Sequence, residues 1–345
     1  MDKSIKEKKL LNGVELHSAI VAGIQKVIAD QDHLNKINVF PVPDGDTGTN
    51  MAFTMTTILD KTMSRVDSRI DNMLESVADA ALDGARGNSG AILAQFFQGF
   101  SDGAIDLSDM GITDFAVAIQ TGSEYAREAL LEPKEGTILT VIKDFSDFIN
   151  QFVNENPDKN FSYMLEQGIV RAEESLQNTP NLMDILKNAG VVDAGAQGFV
   201  DFLIGMYEYI NDERNIEINF DENKIISKYS EKLSNTEDSF EYRFCTECMI
   251  IANSIDHKKL KESLMENGDS MVIAGSKTKA KVHIHTNDPG KVFTICEGFG
   301  NVKGQKADDM LHQQESASHK KDLREIAIVT DSGADFIDDT LDIHI

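Results

Sequence analysis

The stretch Pro43-Asp44-Gly45-Asp46-Thr47-Gly48-Thr49-Asn50 lies between two helical patterns. Before it, apolar residues recur at three- and four-residue spacing, as in Ile20, Ile24 and Val27, and helical spacing resumes at Met51. Two carboxylates separated by one glycine repel each other unless a cation lies between them, and hard oxygen ligands suit Mg²⁺. The glycines let backbone N–H groups approach phosphates, and the following helix N-terminus favours negative charge. The stretch therefore predicts a loop that binds metal and phosphate, with a solvated turn as the alternative.

Helical patterns extend over almost all of the first 210 residues. We predict eight helices, near residues 14–28, 48–62, 69–84, 88–101, 112–131, 136–153, 160–177 and 194–210, with a short extra turn near 181–188. Glycine and proline residues occupy the breaks between them. Short connections between helices of similar length indicate antiparallel neighbours. The prediction is a mainly α N-terminal domain, an eight-helix antiparallel barrel, over residues 1–210.

The pattern changes after a polar segment at 211–238, which we interpret as a linker. Strand-like 242–253 is followed by a helix near 257–266, strands near 270–275 and 280–286, a helix near 289–298 and a strand near 300–306. The order βαββαβ predicts a ferredoxin-like α+β domain over 239–318. Residues 324–345 begin with an apolar strand but are too few for a domain, so we interpret them as the truncated start of a third domain.

Composition narrows the function classes. The chain has 345 residues and a net charge of −25, which argues against nucleic-acid binding because a phosphate backbone would be repelled. No apolar stretch approaches the roughly 20 residues needed to span a bilayer, and the charged N-terminus does not look like a signal peptide. Three cysteines are too few for a disulfide framework. We expect a cytoplasmic protein with no integral membrane segment.

A second candidate phosphate loop is Gly84-Ala-Arg-Gly-Asn-Ser-Gly90, again between two helices. Asn88 and Ser89 can donate hydrogen bonds to phosphate oxygens at a helix start, and Arg86 can neutralise transferred charge. A capped helix–turn–helix corner is the alternative. A P-loop is absent from the sequence, because no Gly-Lys-Ser or Gly-Lys-Thr occurs at the required spacing after a glycine.

These two loops on an eight-helix pattern resemble the L subunit of dihydroxyacetone kinases. The longer run Leu34–Met51 looks more specifically like fatty acid kinase A. The same holds for Gly87-Asn-Ser-Gly90, Glu135-Gly-Thr-Ile-Leu139, Val192-Asp-Ala-Gly-Ala-Gln-Gly198 and Val282-His-Ile-His-Thr-Asn-Asp-Pro-Gly290. The resemblance covers roughly residues 10–315.

The resemblance implies a site for ATP and two Mg²⁺ at one end of the barrel. Asp44 and Asp46 would be Mg²⁺ ligands and, with Arg86, the catalytic residues. Asn38 stands near the position of a third metal-binding aspartate and can replace it. The residues that would bind the nucleotide are Thr47, Thr49, Asn50, Gly87, Asn88, Ser89, Thr137, Asp193 and Gly195.

The acceptor implied by the resemblance is a fatty acid held by a DegV-type fatty-acid-binding protein, which gives an acyl phosphate. A fatty carboxylate is already ionised at pH 7, so the nucleophile needs no general base. Two alternatives stay open: an ATP-binding subunit of a dihydroxyacetone-type kinase, and a non-catalytic module that senses nucleotide or metal. We expect a homodimer. The tail Val329–Phe336 resembles the start of a DegV-type protein, so the carrier can also be a fused domain.

Cys245, His283 and His285 form a possible zinc site in the second domain. Side chains two apart on a strand share a face, so His283 and His285 point together, as do Cys245 and Glu247, while Cys248 faces away. Thiolate and imidazole ligands suit Zn²⁺. The positions match those of the cysteine and two histidines in the middle domain of fatty acid kinase A. A buried cysteine beside two half-exposed histidines is the alternative.

Overall fold

The computed structural model of this chain describes residues 9–41, 43, 45–64, 66–130, 132–212 and 242–310. Eight long helices occupy the N-terminal part: α1 Gly13–Ala29, α3 Thr47–Thr62, α4 Ile70–Gly84, α5 Gly87–Asp102, α6 Ile112–Glu128, α7 Ile138–Glu155, α8 Phe161–Leu182 and α10 Ala194–Asp212. Two six-residue helices, α2 Gln31–Lys36 and α9 Asp184–Ala189, lie between them. Strands β1 Leu10–Asn12 and β2 Asp109–Gly111 form a small antiparallel pair.

Side-chain caps fix where several helices begin. Asn12 and Glu15 form a reciprocal capping box at the start of α1, with both hydrogen bonds at 3.0 Å. Asn160 caps α8 by accepting from the N–H of Tyr163 at 3.0 Å. At the C-terminal end of α9, Gly190 adopts a left-handed conformation with φ +67°, which glycine takes at little cost. Local sequence therefore sets these boundaries.

The long helices form a closed ring of contacts. Helices consecutive in this set pack against each other, and α10 packs against α1. Phenylalanine rings from α5, α6, α7, α8 and α10 fill much of the interior with edge-to-face contacts. Phe96 lies 5.6 Å from Phe97 and 5.5 Å from Phe199, measured between ring centroids, and Phe115 lies 5.7 Å from Phe161. This aromatic core holds the helices in fixed relative positions.

The predicted fold class is confirmed: a mostly helical N-terminal region precedes an antiparallel sheet domain. Pattern reasoning missed α2, because its six residues contain one apolar side chain, Leu34, and are too short to show a helical period. It also ended α8 too early, since Pro180 lies inside the last turn of that helix. The domain limits stay predictions, because residues 213–241 and 311–345, which contain most of the expected linker and the whole expected third segment, lie outside the described residues.

The C-terminal elements follow the predicted order. They are β3 Phe244–Ile251, α11 His257–Leu264, β4 Asp269–Gly275, β5 Lys279–Thr286, α12 Pro289–Glu297 and β6 Asn301–Asp309. The sheet order is β4-β5-β3-β6 and every neighbouring pair is antiparallel, as in a ferredoxin-like fold. One face packs on α11 and α12 through Cys248, Ile250, Val282 and Ile284.

The other face of the sheet packs on the helical domain. Val272 and Ala274 of β4 belong to the same apolar core as the helices. The backbone N–H of Ile273 donates to the carbonyl of Ala129 at 3.1 Å, and that of Gly275 donates to Oε1 of Gln95 at 2.6 Å. Hydrogen bonds and buried apolar surface together fix strand β4 against α5 and the end of α6.

We predict that Asp201→Asn stabilises the protein at alkaline pH only. Asp201 lies buried on α10, and burial, reinforced by nearby Asp30, raises its pKa to about 6. Because the folded pKa lies above the unfolded value, ionisation costs stability; the cost is absent near pH 4 and complete above about pH 7. Removing the charge should raise the melting temperature by on the order of 2–4 °C at pH 8.

Thermal unfolding at pH 4 and pH 8 checks this prediction, with the exposed Asp184→Asn as the matched control. A melting temperature that changes equally at both pH values would show that the charge of Asp201 carries no such cost.

Candidate functional site

The start of α3 is held by asparagine side chains. Asp46 is the N-cap residue of this helix, and Asp44 lies outside the described residues. The backbone N–H of Thr47 donates to Oδ1 of Asn38 at 2.9 Å, and the N–H of Thr49 donates to Oδ1 of Asn35 at 3.0 Å. Asn38, proposed from the sequence as a metal ligand, is thus buried and already accepts a hydrogen bond with its carboxamide oxygen.

Residues of helix α2 contact the first turn of α3. The hydroxyl of Thr49 accepts hydrogen bonds from Nε2 of Gln31 at 3.1 Å and from Nδ2 of Asn35 at 2.9 Å. A Cβ added to Gly48 would lie 2.3 Å from the carbonyl oxygen of Gln31, so only glycine allows this approach. The roles of Gln31 and Asn35 were missed from the sequence, since α2 itself was missed.

The second predicted loop lies directly beside the first. Gly87 starts α5 with φ +56°, and an added Cβ would lie 2.5 Å from Nδ2 of Asn50. The guanidinium of Arg86 lies over the ring of Phe53, 4.2 Å from its centroid. Oδ1 of Asn88 is buried and has no hydrogen-bond partner among the described residues. This orphaned oxygen fits a ligand that supplies a cation or a donor.

Helices α7 and α10 begin at the same place. Thr137 is the N-cap residue of α7 and is buried. A Cβ added to Gly195 would lie 3.3 Å from Cβ of Ile138 and 3.5 Å from Oγ of Ser89. The first turns of α5, α7 and α10 therefore touch one another. Together with α3, four helix N-termini face one end of the helical domain.

Asp193 lies where two of these helix starts meet. Its carboxylate accepts a hydrogen bond from the backbone N–H of Ala196 at 2.8 Å, and the nearby N–H groups of Ile138 and Gly195 also favour its charged form. Its own N–H donates to the hydroxyl of Thr179 at 3.1 Å. Burial raises the pKa of Asp193 to about 6, although the three backbone N–H groups act in the opposite direction. The carboxylate is therefore a structural acceptor at the start of α10, next to the start of α7.

Four helix N-termini that converge have the chemistry to attract an anion. Each helix presents the positive end of its dipole and its first-turn N–H groups, and both favour phosphate. The structure brings together the sequence-predicted residues around this point: Asp46, Thr47, Thr49, Asn50, Gly87, Asn88, Ser89, Thr137, Asp193 and Gly195. Carboxylate and carboxamide oxygens at its edge supply the type of ligand that Mg²⁺ prefers.

A second cluster lies on the sheet. Cys245, His283 and His285 each offer a ligand atom within 4.8 Å of the others, and Sγ of Cys245 lies 3.9 Å from Nδ1 of His283. Cys248 belongs to the apolar core on the opposite face. The prediction that the first three share a face and Cys248 does not is confirmed. Thiolate and imidazole donors at this separation fit Zn²⁺.

Charge is unevenly distributed over this cluster. Burial lowers the pKa of His283, but Cys245 and Glu247 outweigh it and raise the value to about 10. Burial and the neighbouring His283 lower the pKa of His285 to about 3. Burial likewise opposes ionisation of Glu247, yet His283 and Lys281 bring its pKa down to about 2. Glu247 is therefore a buried carboxylate held between Nδ1 of His283 and Nζ of Lys281.

The two clusters are in contact. Oε1 of Glu247 lies 3.0 Å from Nδ1 of His283 and accepts a hydrogen bond from the backbone N–H of Gly87 at 3.3 Å. The residue pattern gave no sign of this link, because it joins positions 160 apart in the sequence. The polar face of the sheet thus borders the loop that starts α5.

Two family models match this chain. Residues 41–208 match the DAK2 domain, and residues 241–317 match the middle domain of fatty acid kinase A-like proteins. Uncharacterized proteins from Staphylococcus aureus strains USA300 and COL are 34% identical over 337 residues, which covers 93% of this chain and 61% of theirs. The chain therefore spans about three fifths of the length of these relatives.

Solved structures give a weaker likeness. The dihydroxyacetone kinase of C. freundii in its native form is 13% identical, with a TM-score of 0.43 over 60% of this chain and 36% of that chain. The same enzyme in complex with AMP-PNP and Mg²⁺ gives a TM-score of 0.44 at the same identity and coverage.

Within the described residues, no helix combines the length and apolar character needed to cross a membrane.

We predict that Asp193→Ala lowers the free energy of unfolding by about 2–3 kcal/mol, because buried N–H groups at the start of α10 lose their acceptor. Chemical denaturation of the whole chain measures the change. Asp184→Ala, an exposed aspartate at the start of α9, is the control and should stay within about 0.5 kcal/mol of wild type. Equal losses in both variants would contradict the structural role of Asp193.

Proposed function

We propose that this chain carries the phosphate-transferring part of an ATP-dependent kinase. The premise is its match to a DAK2 domain followed by a fatty acid kinase A-like middle domain. The convergence of four helix N-termini, with Asp46 at its edge, is the observation that supports this function. Such an arrangement stabilises a polyphosphate without a P-loop. The match covers 61% of the length of these relatives, so the activity of the whole protein is itself part of the proposal.

The nucleotide would place its phosphates against the first turns of α3, α5, α7 and α10. Asn88 and Ser89 would contact the phosphates, while Asp46, together with Asp44, would hold Mg²⁺. When bound, Mg²⁺ supplies charge neutralisation across the phosphate oxygens. The orphaned oxygen of Asn88 supports this placement, since it needs a cation or a donor.

The acceptor we propose is the carboxylate of a fatty acid presented by a DegV-type fatty-acid-binding protein or fused domain. One carboxylate oxygen attacks the γ-phosphorus, and the bond from that phosphorus to the β,γ-bridging oxygen breaks. The electron pair leaves with ADP, and the product is an acyl phosphate. No proton needs to move, so groups that position the reactants and neutralise charge are sufficient for this chemistry. The match of residues 241–317 supports this acceptor class.

We also propose that Cys245, His283 and His285 bind one Zn²⁺, with a fourth ligand from water or a carboxylate. The three donors have the chemistry and the separation that zinc needs. Glu247, which contacts His283, also accepts from the N–H of Gly87, so one side chain connects this cluster to the second predicted phosphate loop.

We expect this chain, given Mg·ATP and a fatty acid on a DegV-type carrier, to form acyl phosphate that hydroxylamine traps as a hydroxamate. Asp46→Ala should lower the rate by on the order of 100-fold. The variant lacks a carboxylate that would hold Mg²⁺, and without this ion the negative charge of the transition state is not neutralised. Asp158→Ala, an exposed aspartate far along the chain, is the control and should keep wild-type activity.

Other outcomes of this assay discriminate between functions. Phosphorylation of dihydroxyacetone with no hydroxamate would favour the dihydroxyacetone-type kinase. Binding of Mg·ATP without turnover on either acceptor would favour a sensing module, and absence of nucleotide binding would reject the site.

Elemental analysis of the purified protein tests the metal centre. We expect about one equivalent of zinc in wild type, and loss of most of it in Cys245→Ser because thiolate is the strongest zinc donor of the three. His33→Ala, which removes an exposed histidine on α2, should leave the zinc content unchanged. A wild-type protein without zinc would reject the centre.

A further inference from the structure

The carboxylate of Glu247 connects the sheet to the helical domain at the point where α5 begins. One oxygen, Oε1, both accepts the hydrogen bond from the N–H of Gly87 and contacts Nδ1 of His283. The other oxygen, Oε2, lies 3.6 Å from Nζ of Lys281. A single side chain thus joins Gly87, the first residue of α5, to His283 and Lys281 on β5.

Burial makes these contacts necessary. The side chain of Glu247 is 9% exposed, that of His283 3% and that of Lys281 15%. A buried carboxylate is unfavourable unless it is paired and hydrogen-bonded, and here Lys281, Nδ1 of His283 and the Gly87 N–H provide the partners. The geometry is therefore well determined, since each lost partner would leave the carboxylate less well compensated.

Several further contacts fix the position of Glu247. In the antiparallel pairing of β3 with β5, Glu247 lies directly opposite His283. The sheet itself is tied to the helices by the Ile273–Ala129 and Gly275–Gln95 hydrogen bonds. In addition, Nζ of Lys279 pairs with Asp79 on α4 at 2.9 Å. The carboxylate is thus presented to Gly87 by a docked sheet.

We propose that Glu247 is a positioning residue for the proposed kinase: it holds the N–H of Gly87 so that Asn88 and Ser89 keep the orientation that receives the nucleotide phosphates. The expected effect on nucleotide binding rests on the proposed function, whereas the contact between Glu247 and Gly87 does not. Glu247 acts through the loop, and nothing places it against the reacting atoms.

Gly87 needs such a partner. Gly87 is the first residue of α5, so its N–H has no acceptor within the helix, and its N-cap residue Arg86 makes no side-chain cap. Its φ of +56° and the close approach of Asn50 require glycine here. The acceptor must come from elsewhere in the fold, and the sheet supplies it. Loss of this acceptor would free the first turn of α5 to rotate, because Glu247 is the residue that holds that N–H within the described part of the chain.

Two variants of Glu247 separate the effect of side-chain length from the effect of its charge. Glu247→Asp keeps the charge but shortens the side chain by one methylene, so the carboxylate no longer reaches Gly87. Glu247→Gln keeps the length and an oxygen that accepts, but removes the charge. We expect Glu247→Asp to raise the Kd for Mg·ATP about tenfold, which is about 1.4 kcal/mol, and Glu247→Gln to raise it less than about threefold. Glu262→Gln, an exposed glutamate on α11, is the control.

Amide hydrogen exchange of residues 86–90 without nucleotide provides the readout that does not depend on the kinase function. Exchange at Gly87 and Asn88 should accelerate at least about tenfold in Glu247→Asp, while the amides of α7 exchange as in wild type. Unchanged exchange at these amides, or equal effects of Asp and Gln, would overturn the positioning role. If Glu247→Asp speeds exchange but the wild-type protein fails to bind Mg·ATP, the proposed function is rejected and the Gly87 contact stands.

Discussion

Unpaired backbone donors at helix starts are the constraint on which this structure depends. A helix leaves its first-turn N–H groups without intrahelical partners, and a buried donor without an acceptor costs about 1–3 kcal/mol. Four helices begin together here, so the cost would be concentrated in one place. The chain meets it with side-chain oxygens: Asn38 and Asn35 for α3, Thr137 for α7, Asp193 for α10, and Glu247 for α5. Those acceptors fix the frame, and a phosphate ligand would complete it.

Close backbone approach is the second requirement, and it explains why glycine recurs in the site. Gly48 lies against α2, Gly87 against Asn50, and Gly195 against α7 and Ser89. A side chain at any of these positions would separate helix starts that must touch for their dipoles to act on one ligand. The site is thus built from backbone and supported by packing behind it, where Phe96 and Phe199 join α5 to α10.

Sequence reasoning reached the regular and local parts of this molecule. Long helices with repeated apolar residues were predicted to within a few residues, as α3 and α5 show, and the βαββαβ order gave the correct sheet. The shared face of Cys245, His283 and His285 followed from strand alternation. Short α2 was missed because two turns carry no period, and with it the support of Thr49. The contact of Glu247 with Gly87 depends on how two domains dock, which neither composition nor spacing encodes.

The negative charge of the chain makes the contact between the sheet and the helices more important. With a net charge of −25, the protein as a whole repels a polyphosphate, so attraction must be local. The helical domain offers dipoles, but it also places Asp46 and Asp193 at the same point. The sheet adds Lys281 and His283 close to Gly87, and Glu247 links both to that residue while accepting from its N–H. The helices alone would lack Lys281 and the acceptor for the Gly87 N–H, so the proposed nucleotide site would depend on the sheet as well as on the helix starts.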